Sequence, residues 1–356
     1  MKTGLERFLE DAHKFRGNAW GILSHAAAVS RNLEYSVQVI AKQGLNIKRL
    51  FTPEHGFFAT AQDQEAVLKD TFTDLEVIPL YGETRESLKP KPEHMEDLDG
   101  IIIDLQDVGS RYYTYVWSAL IVARAFSRAG KKVIVLDRPN PINGVDVEGP
   151  VNEILSFVGL YPIPIRHGKT YGEIIEEIAR RENMDVLVYH LEGWDREKYF
   201  DQLELPWVMP SPNMPTVETA LVYPGMCLLE GTNLSEGRGT TRPFEIFGAP
   251  YIDPFEMVKY IEVEGAVLRP LHFRPTFNKY AGQVIGGFQL HVMDRKRFRP
   301  VETAVKILET VKGLYPEEFA WKEPPYEFEE EIMPIDLLWG SPWLRKHIDS
   351  IQRPLK

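Results

Sequence analysis

Two short runs constrain this chain more than anything else in it. "GIIID" at residues 100–104 and "VIVLD" at 133–137 stay apolar until an aspartate ends them. A strand with one face in water alternates apolar and polar residues, whereas a strand apolar throughout is buried on both faces. Such strands belong to parallel sheets covered by helices on both sides. The surrounding pattern agrees. "AWGILSHAA" reads as a first strand, followed by a helix that puts Leu33, Val37, Ile40 and Ala41 on one face and is closed by Gly44. "NIKRLF" is a second strand that ends at Glu54, "YTYVWSALIVARAFSRAG" is a helix stopping at Gly130, and "MDVLVYHLEGW" is a later strand preceded by the amphipathic helix of "TYGEIIEEIARREN". The expected fold is α/β, a doubly wound, mostly parallel sheet.

After about residue 200 this rhythm gives way to the proline-rich "LPWVMPSPNMPTVETA" and the long polar stretch "LLEGTNLSEGRGTTRPFEIFGAP". "GGFQLHVMD" as a strand, "RPVETAVKILETVKGLYP" as a helix and "IDLLWGSPWLRKHI" then indicate a second, smaller α/β domain. The expected division is a first domain over 1–205 and a second over 206–356. With 356 residues, 44% of them hydrophobic, the chain has enough apolar material for two cores.

Charge and motif patterns exclude several functions. The net charge of -11 supplies no basic field for a nucleic acid backbone. One cysteine, Cys227, lies in an apolar stretch and reads as buried and inert; it allows neither an intramolecular disulfide nor a Cys-cluster metal site. The N-terminal helix pattern is broken by charges, and no apolar run approaches the roughly 18 residues of a membrane span. A cytoplasmic location and no membrane partner are expected. No G-x-G-x-x-G follows the first strand, and neither a P-loop, an H-E-x-x-H nor a G-x-S-x-G elbow occurs.

In open α/β sheets ligands bind beyond the carboxyl ends of the strands. Those ends carry His25; Glu54 and His55; Asp104, Asp107, Arg111, Tyr112 and Tyr113; and Asp137, Arg138, Asn140 and Asn143, with His167 in a later turn. Carboxylates, arginines, asparagines and aromatics in one rim suit a sugar bearing an acid group. Glycoside hydrolysis needs a carboxylic acid kept protonated by an apolar surround, plus a second carboxylate. Glu54, with Phe51, Phe57 and Phe58 beside it in sequence, is the candidate acid. A metal held by His25, His55 and Asp107 is a less favoured alternative.

Seven segments together, "LFTPEHGF", "DLQDVGSRYYTY", "VLDRPNPINGVDVEGP", "IPIRHGKTYGE", "PSPNMPT", "EGTNLSEGRGTTRPFE" and "FRPTFNKYAGQVIGG", closely resemble the DUF1343 proteins, which include the exo-β-N-acetylmuramidases of the NamZ type. The likeness spans about residues 15–350. It implies a Rossmann-like catalytic domain with a C-terminal auxiliary domain contributing to the active-site cleft. The implied reaction is release of N-acetylmuramic acid from the non-reducing end of peptidoglycan fragments, without metal or organic cofactor. Carried onto this chain, the glutamate of the P-E-H-G motif is Glu54, the general acid. Asp107 and Glu236 are the candidates for a second acid, unless the substrate's own acetamido group is the nucleophile. His25, His55, Tyr112, Tyr113, Asn140, His167, Asn213, Glu230 and Asn233 are candidate substrate contacts, and Arg111, Arg138 or Arg238 is expected to meet the lactyl carboxylate. The expected partner is a muropeptide or a disaccharide-sized glycan fragment; a non-catalytic muropeptide-binding protein is the alternative of a different class.

Overall fold

The computed structural model describes residues 1–351, and these form two compact units. Unit 1 comprises residues 1–109, 113–146 and 168–212; unit 2 comprises 110–112, 147–167 and the chain from Asn213 onward. The division therefore follows no single cut. The segments 110–112 and 147–167, expected in the first domain, belong to unit 2.

Unit 1 contains α1 (Gly4–Asp11), β1 (Ala19–Ser24), α2 (Ser36–Lys42), β2 (Asn46–Thr52), β3 (Glu76–Pro79), β4 (Gly100–Asp104), α3 (Tyr115–Arg128), β5 (Lys132–Leu136), α4 (Tyr171–Glu182) and β6 (Val186–Tyr189). The six strands pair in parallel in the order β3-β2-β1-β4-β5-β6. This is the strand order of the Rossmann fold, and its switch point lies between β1 and β4. Register explains the unbroken apolar runs. Ile22 lies opposite Leu50 and Ile102, and Ile102 opposite Ile134. These four share one core with Leu5 and Phe8 of α1 and Val37 and Ile40 of α2. The alternate positions point to the other face, where Phe51 and Ile101 close over Gly21 and Phe51 meets Phe126 of α3 with ring centroids 6.0 Å apart. Each isoleucine contributes about 1.5–3 kcal/mol whichever face it takes, so a polar residue at either register would be costly.

One local expectation changes, one strand is new, and one helical pattern is borne out. Leu33 is not on the α2 face: its φ is +63°, it is 56% exposed, and the helix begins at Ser36. The edge strand β3 is four residues long and is not among the strands expected from the sequence. Residues 4–11, whose apolar spacing is helical in the sequence, form an amphipathic helix with a complete Thr3–Glu6 capping box and pack onto β5 and β6.

Unit 2 contains α5 (Val217–Met226), β7 (Ile246–Ala249), α6 (Pro254–Met257), β8 (Ala266–Phe273), β9 (Ile285–Val292), α7 (Pro300–Leu314), α8 (Pro334–Trp339) and α9 (Trp343–Asp349). Its three strands form an antiparallel sheet in the order β7-β9-β8. Pro270 hides β8 from a sequence reading, because proline cannot donate to a ladder; it is tolerated here because β8 is an edge strand. Cys227 is buried just after α5. Among the described residues no helix is long and apolar enough to cross a membrane.

One buried ion pair ties the strand ends of unit 1 together. Asp104, the last residue of β4, accepts from Arg138 Nε at 2.5 Å and from its second guanidinium nitrogen at 2.8 Å, while the third nitrogen donates to the Val29 carbonyl at 3.1 Å. Removing one partner of such a pair strands a charge in the interior. Asp104→Ala should lower the unfolding free energy by about 3–5 kcal/mol in urea denaturation; a loss below about 1 kcal/mol would show the pair to be dispensable. A second, more exposed group sets a pH dependence. His190 is pushed up to about 9, chiefly by the Asp137 carboxylate 3.8 Å from Nδ1, against burial, and then by Glu176 3.1 Å from Nε2. A raised histidine contributes stability that is complete below its ordinary value of 6.5 and is lost as pH rises through about 9. The melting temperature of the wild type should therefore fall between these values more than that of His190→Gln; parallel curves would refute the linkage.

Candidate active site

Unit 1 carries His25, Glu54, His55, Asp107, Tyr113, Arg138 and Asn140, and unit 2 carries Arg111, Tyr112, His167, Asn213, Glu230, Asn233, Glu236 and Arg238. The motif "DVGSRYY" is thus split between the units.

In unit 1 the polar groups gather at the carboxyl ends of β1, β2 and β4. Glu54, two residues past β2, is 4% exposed. Its Oε2 accepts from the Thr114 hydroxyl at 2.6 Å and its Oε1 from the Gln64 amide at 3.4 Å. Its backbone carbonyl accepts from the Tyr115 hydroxyl at 3.2 Å, and that hydroxyl lies 2.6 Å from the Pro210 carbonyl. The phenylalanines adjacent in sequence do something else. Phe57 packs with Tyr35 and Phe72 in the core, Phe58 stacks edgewise on Phe57 and Tyr35, and Phe51 lies under the sheet against Phe126. The side-chain partners of the Glu54 carboxyl are a hydroxyl and an amide.

His55 and Gly56 both take left-handed backbone conformations, with φ of +70° and +75°. A Cβ at Gly56 would stand 2.9 Å from the Asp70 carboxylate, whose oxygen accepts from the Phe57 amide at 2.5 Å. The reversal folds the next residues back: His55 Nδ1 lies 3.0 Å from the Ala61 carbonyl, and the His55 carbonyl accepts from the amides of Thr60 and Ala61. At the switch point His25 Nε2 accepts from the Gln106 amide at 3.0 Å. Burial, and then the Arg138 charge, hold His25 down to about 3, so the ring is neutral with its proton on Nδ1. The Asp107 carboxylate accepts from the Gly109 amide at 2.8 Å, a tight turn in which a Cβ on Gly109 would strike Asn140. Burial pushes Tyr113 and Tyr115 well above the ordinary tyrosine range, the nearby Tyr115 hydroxyl adding to the first and the Glu54 charge to the second.

Several expected substrate contacts belong to the framework instead. The Arg111 guanidinium is fully buried and donates to the carbonyls of Pro150, Ile163 and Leu338 at 2.7–3.0 Å. Arg138 is engaged by Asp104. Tyr112 donates to the Pro224 carbonyl and its ring meets Tyr223. Asn140 donates to the Lys169 carbonyl and accepts from the Ile142 amide, and Asn233 is bonded to Glu318, Ala320 and Tyr251. His167 and Asn213 are buried. His25, His55 and Asp107 do not bring three ligand atoms within 4.8 Å of one another, so the alternative metal set does not assemble among the described residues.

Unit 2 holds a buried charge cluster. Glu230 accepts from Arg238 and from the Tyr326 hydroxyl, each at 2.7 Å. Burial works to raise Glu230, but Arg238, Tyr326 and Lys279 outweigh it and hold the carboxyl below its ordinary value. Glu236 accepts from Lys279 at 2.9 Å and lies 3.4 Å from Arg238 Nε; the Arg238 guanidinium sits 5.1 Å from the centre of the Phe244 ring. Lys279 also donates to the carbonyls of Leu229 and Leu234. Two carboxylates face two cations, so Arg238 is occupied like Arg111 and Arg138. Lys279, Tyr326, Thr114 and Gln64 were not singled out from the sequence. Lys279 stood inside a recognisable motif, whereas Gln64 sits in a loop with no periodicity to mark it.

Comparison with known proteins agrees with this architecture. Residues 20–218 match the family described as Exo-beta-N-acetylmuramidase NamZ, N-terminal, and residues 221–355 match the family described as Exo-beta-N-acetylmuramidase NamZ, C-terminal. The chain is 39% identical over 361 residues to the peptidoglycan beta-N-acetylmuramidase NamZ of Bacillus subtilis (strain 168), covering 98% of this chain and 84% of the relative. Crystal structures of two DUF1343 family proteins from Bacteroides fragilis NCTC 9343 are similar. One superposes with a TM-score of 0.88 at 28% identity over 99% of this chain and 92% of its own, the other with 0.74 at 25% over 99% and 91%. With a buried glutamate at the end of β2 and both family halves matched in order, the chain belongs to the NamZ exo-β-N-acetylmuramidase family.

Proposed function

We propose that this chain is an exo-acting glycosidase that releases N-acetylmuramic acid from the non-reducing ends of peptidoglycan fragments, with Glu54 as its general acid. Family membership through both halves supports the activity, since the Bacillus relative is by name a peptidoglycan β-N-acetylmuramidase. One observation carries the residue assignment. Glu54 is a buried carboxyl at a strand end, oriented through Oε2 by the Thr114 hydroxyl, with Oε1 met at 3.4 Å by the Gln64 amide. In this reading Oε1 delivers the proton to the glycosidic oxygen as the bond to the sugar breaks. His25, neutral and bonded to Gln106, serves to position and not to exchange protons near neutral pH.

The other two proposed acids have less support. Asp107 is bonded to the Gly109 amide, and both oxygens of Glu236 face cations. A muropeptide or disaccharide fragment is the substrate of this reading. A cytoplasmic location is proposed with it, and cell fractionation checks it.

Glu54→Gln should leave binding of a MurNAc–GlcNAc fragment nearly unchanged and lower kcat by about 100-fold to 10,000-fold. Activity within a few-fold of wild type would remove Glu54 from the acid role.

A further inference from the structure

We infer that Asp63 is the second carboxylate of the reaction, and that it holds the substrate's acetamido group while the carbonyl oxygen of that group attacks the anomeric carbon. The inference rests on the reading of Glu54 as the acid. Asp63 lies nine residues beyond Glu54 in the same unit, and the two present carboxylate oxygens within 4.8 Å of each other. The chain path that brings them together is specific. After the left-handed pair His55 and Gly56, Ala59 and Gln64 also take left-handed conformations, with φ of +52° and +56°. Gln64 then joins the two acids: its backbone amide points to Glu54 Oε1 at 3.4 Å and its side-chain amide donates to Asp63 Oδ2 at 3.1 Å. Glu54 is buried while Asp63 is partly exposed, so the pair has an inner and an outer member.

The shared loop points to the role. A nucleophile opposite an acid stands about 5–5.5 Å from it, and a base that activates water about 6.5–9.5 Å, because the anomeric carbon or the water lies between the two. Here both carboxylates belong to one loop, present oxygens within 4.8 Å of each other and share Gln64 as a donor. Asp63 therefore stands on the side of the acid, where it can accept a hydrogen bond from the acetamido N–H at C2. In the first step the bond from C1 to the leaving oxygen breaks, Glu54 gives its proton to that oxygen, and the acetamido carbonyl oxygen bonds to C1. The positive charge of the resulting oxazolinium ion lies on the ring whose N–H faces Asp63. In the second step water attacks C1, the bond from C1 to the carbonyl oxygen breaks, and the water proton passes to Glu54. The sugar is released with its β configuration retained.

Three measurements test this. Asp63→Asn should lower kcat by at least about 100-fold, the scale of losing one charge-stabilising group, with its melting temperature close to that of the wild type. An aryl N-acetylmuramide with a strongly acidic phenol as leaving group needs no proton, so it should restore Glu54→Gln but not Asp63→Asn. The thiazoline of N-acetylmuramic acid, a stable mimic of the oxazoline, should inhibit the wild type competitively and Asp63→Asn at least about 10-fold less tightly. If Glu54→Gln behaves as expected but Asp63→Asn stays within about 3-fold of wild type, or if the activated substrate restores Asp63→Asn, the inference falls and the Glu54 reading stands. If Glu54→Gln is itself fully active on the natural disaccharide, the reading beneath it falls.

Discussion

The guanidinium of Arg138 holds the ends of three strands. It binds the Asp104 carboxylate that closes β4, it stands two residues past the end of β5, and it reaches the Val29 carbonyl in the connection after β1. Without the carboxylate an arginine would not remain in a pocket where both side chains are nearly inaccessible; without the arginine, Asp104 would be an uncompensated charge at the end of an isoleucine strand. The pair leaves a field behind it. Arg138 adds to the burial that keeps His25 neutral, which turns the imidazole Nε2 into an acceptor for the Gln106 amide and links the connections after β1 and β4 at the switch point. The polar rim is thus organised from beneath by a buried charge pair.

The sheet was legible because burial on two faces leaves a sequence no freedom: every position of β4 and β5 from Ile101 to Ile103 and from Val133 to Leu136 had to be apolar, and the runs say so. Elements stabilised on one side, or by a partner elsewhere in sequence, left weaker traces. β3 is four residues long, and β8 carries a proline that only its edge position permits. Among the site residues, sequence could place Glu54, His55 and Asp107 at strand ends, because strand ends are where polarity begins. It could not tell a ligand-binding arginine from a structural one. Arg111 spends its hydrogen bonds on carbonyls drawn from residues 150, 163 and 338, separations no local pattern encodes.

The polar density of residues 230–245 has a comparable explanation. A segment with Glu230, Glu236 and Arg238 in the interior of unit 2 is tolerable only if charge is cancelled locally, and Lys279 supplies the second cation. Lys279 does more than neutralise, since it also accepts the task of satisfying the carbonyls of Leu229 and Leu234. One ammonium group with three protons can serve such divergent acceptors better than a planar guanidinium. The glycines in this loop answer to backbone shape: at Gly237, with φ of +82°, a Cβ would lie 2.3 Å from the Ile246 carbonyl.

The loop after β2 shows strain of a different kind. Three residues with side chains, His55, Ala59 and Gln64, adopt left-handed conformations within ten positions, at a cost of about 1–3 kcal/mol each. Glycine at any of them would relieve it, yet among the left-handed positions of this loop glycine stands at Gly56 alone. At His55 the ring is used, meeting the Ala61 carbonyl, and at Gln64 both the amide and the side chain are used, one toward each acid. One left-handed glutamine thus meets two carboxylates, and the core cluster of Tyr35, Phe57 and Phe72 packs beside the bent loop.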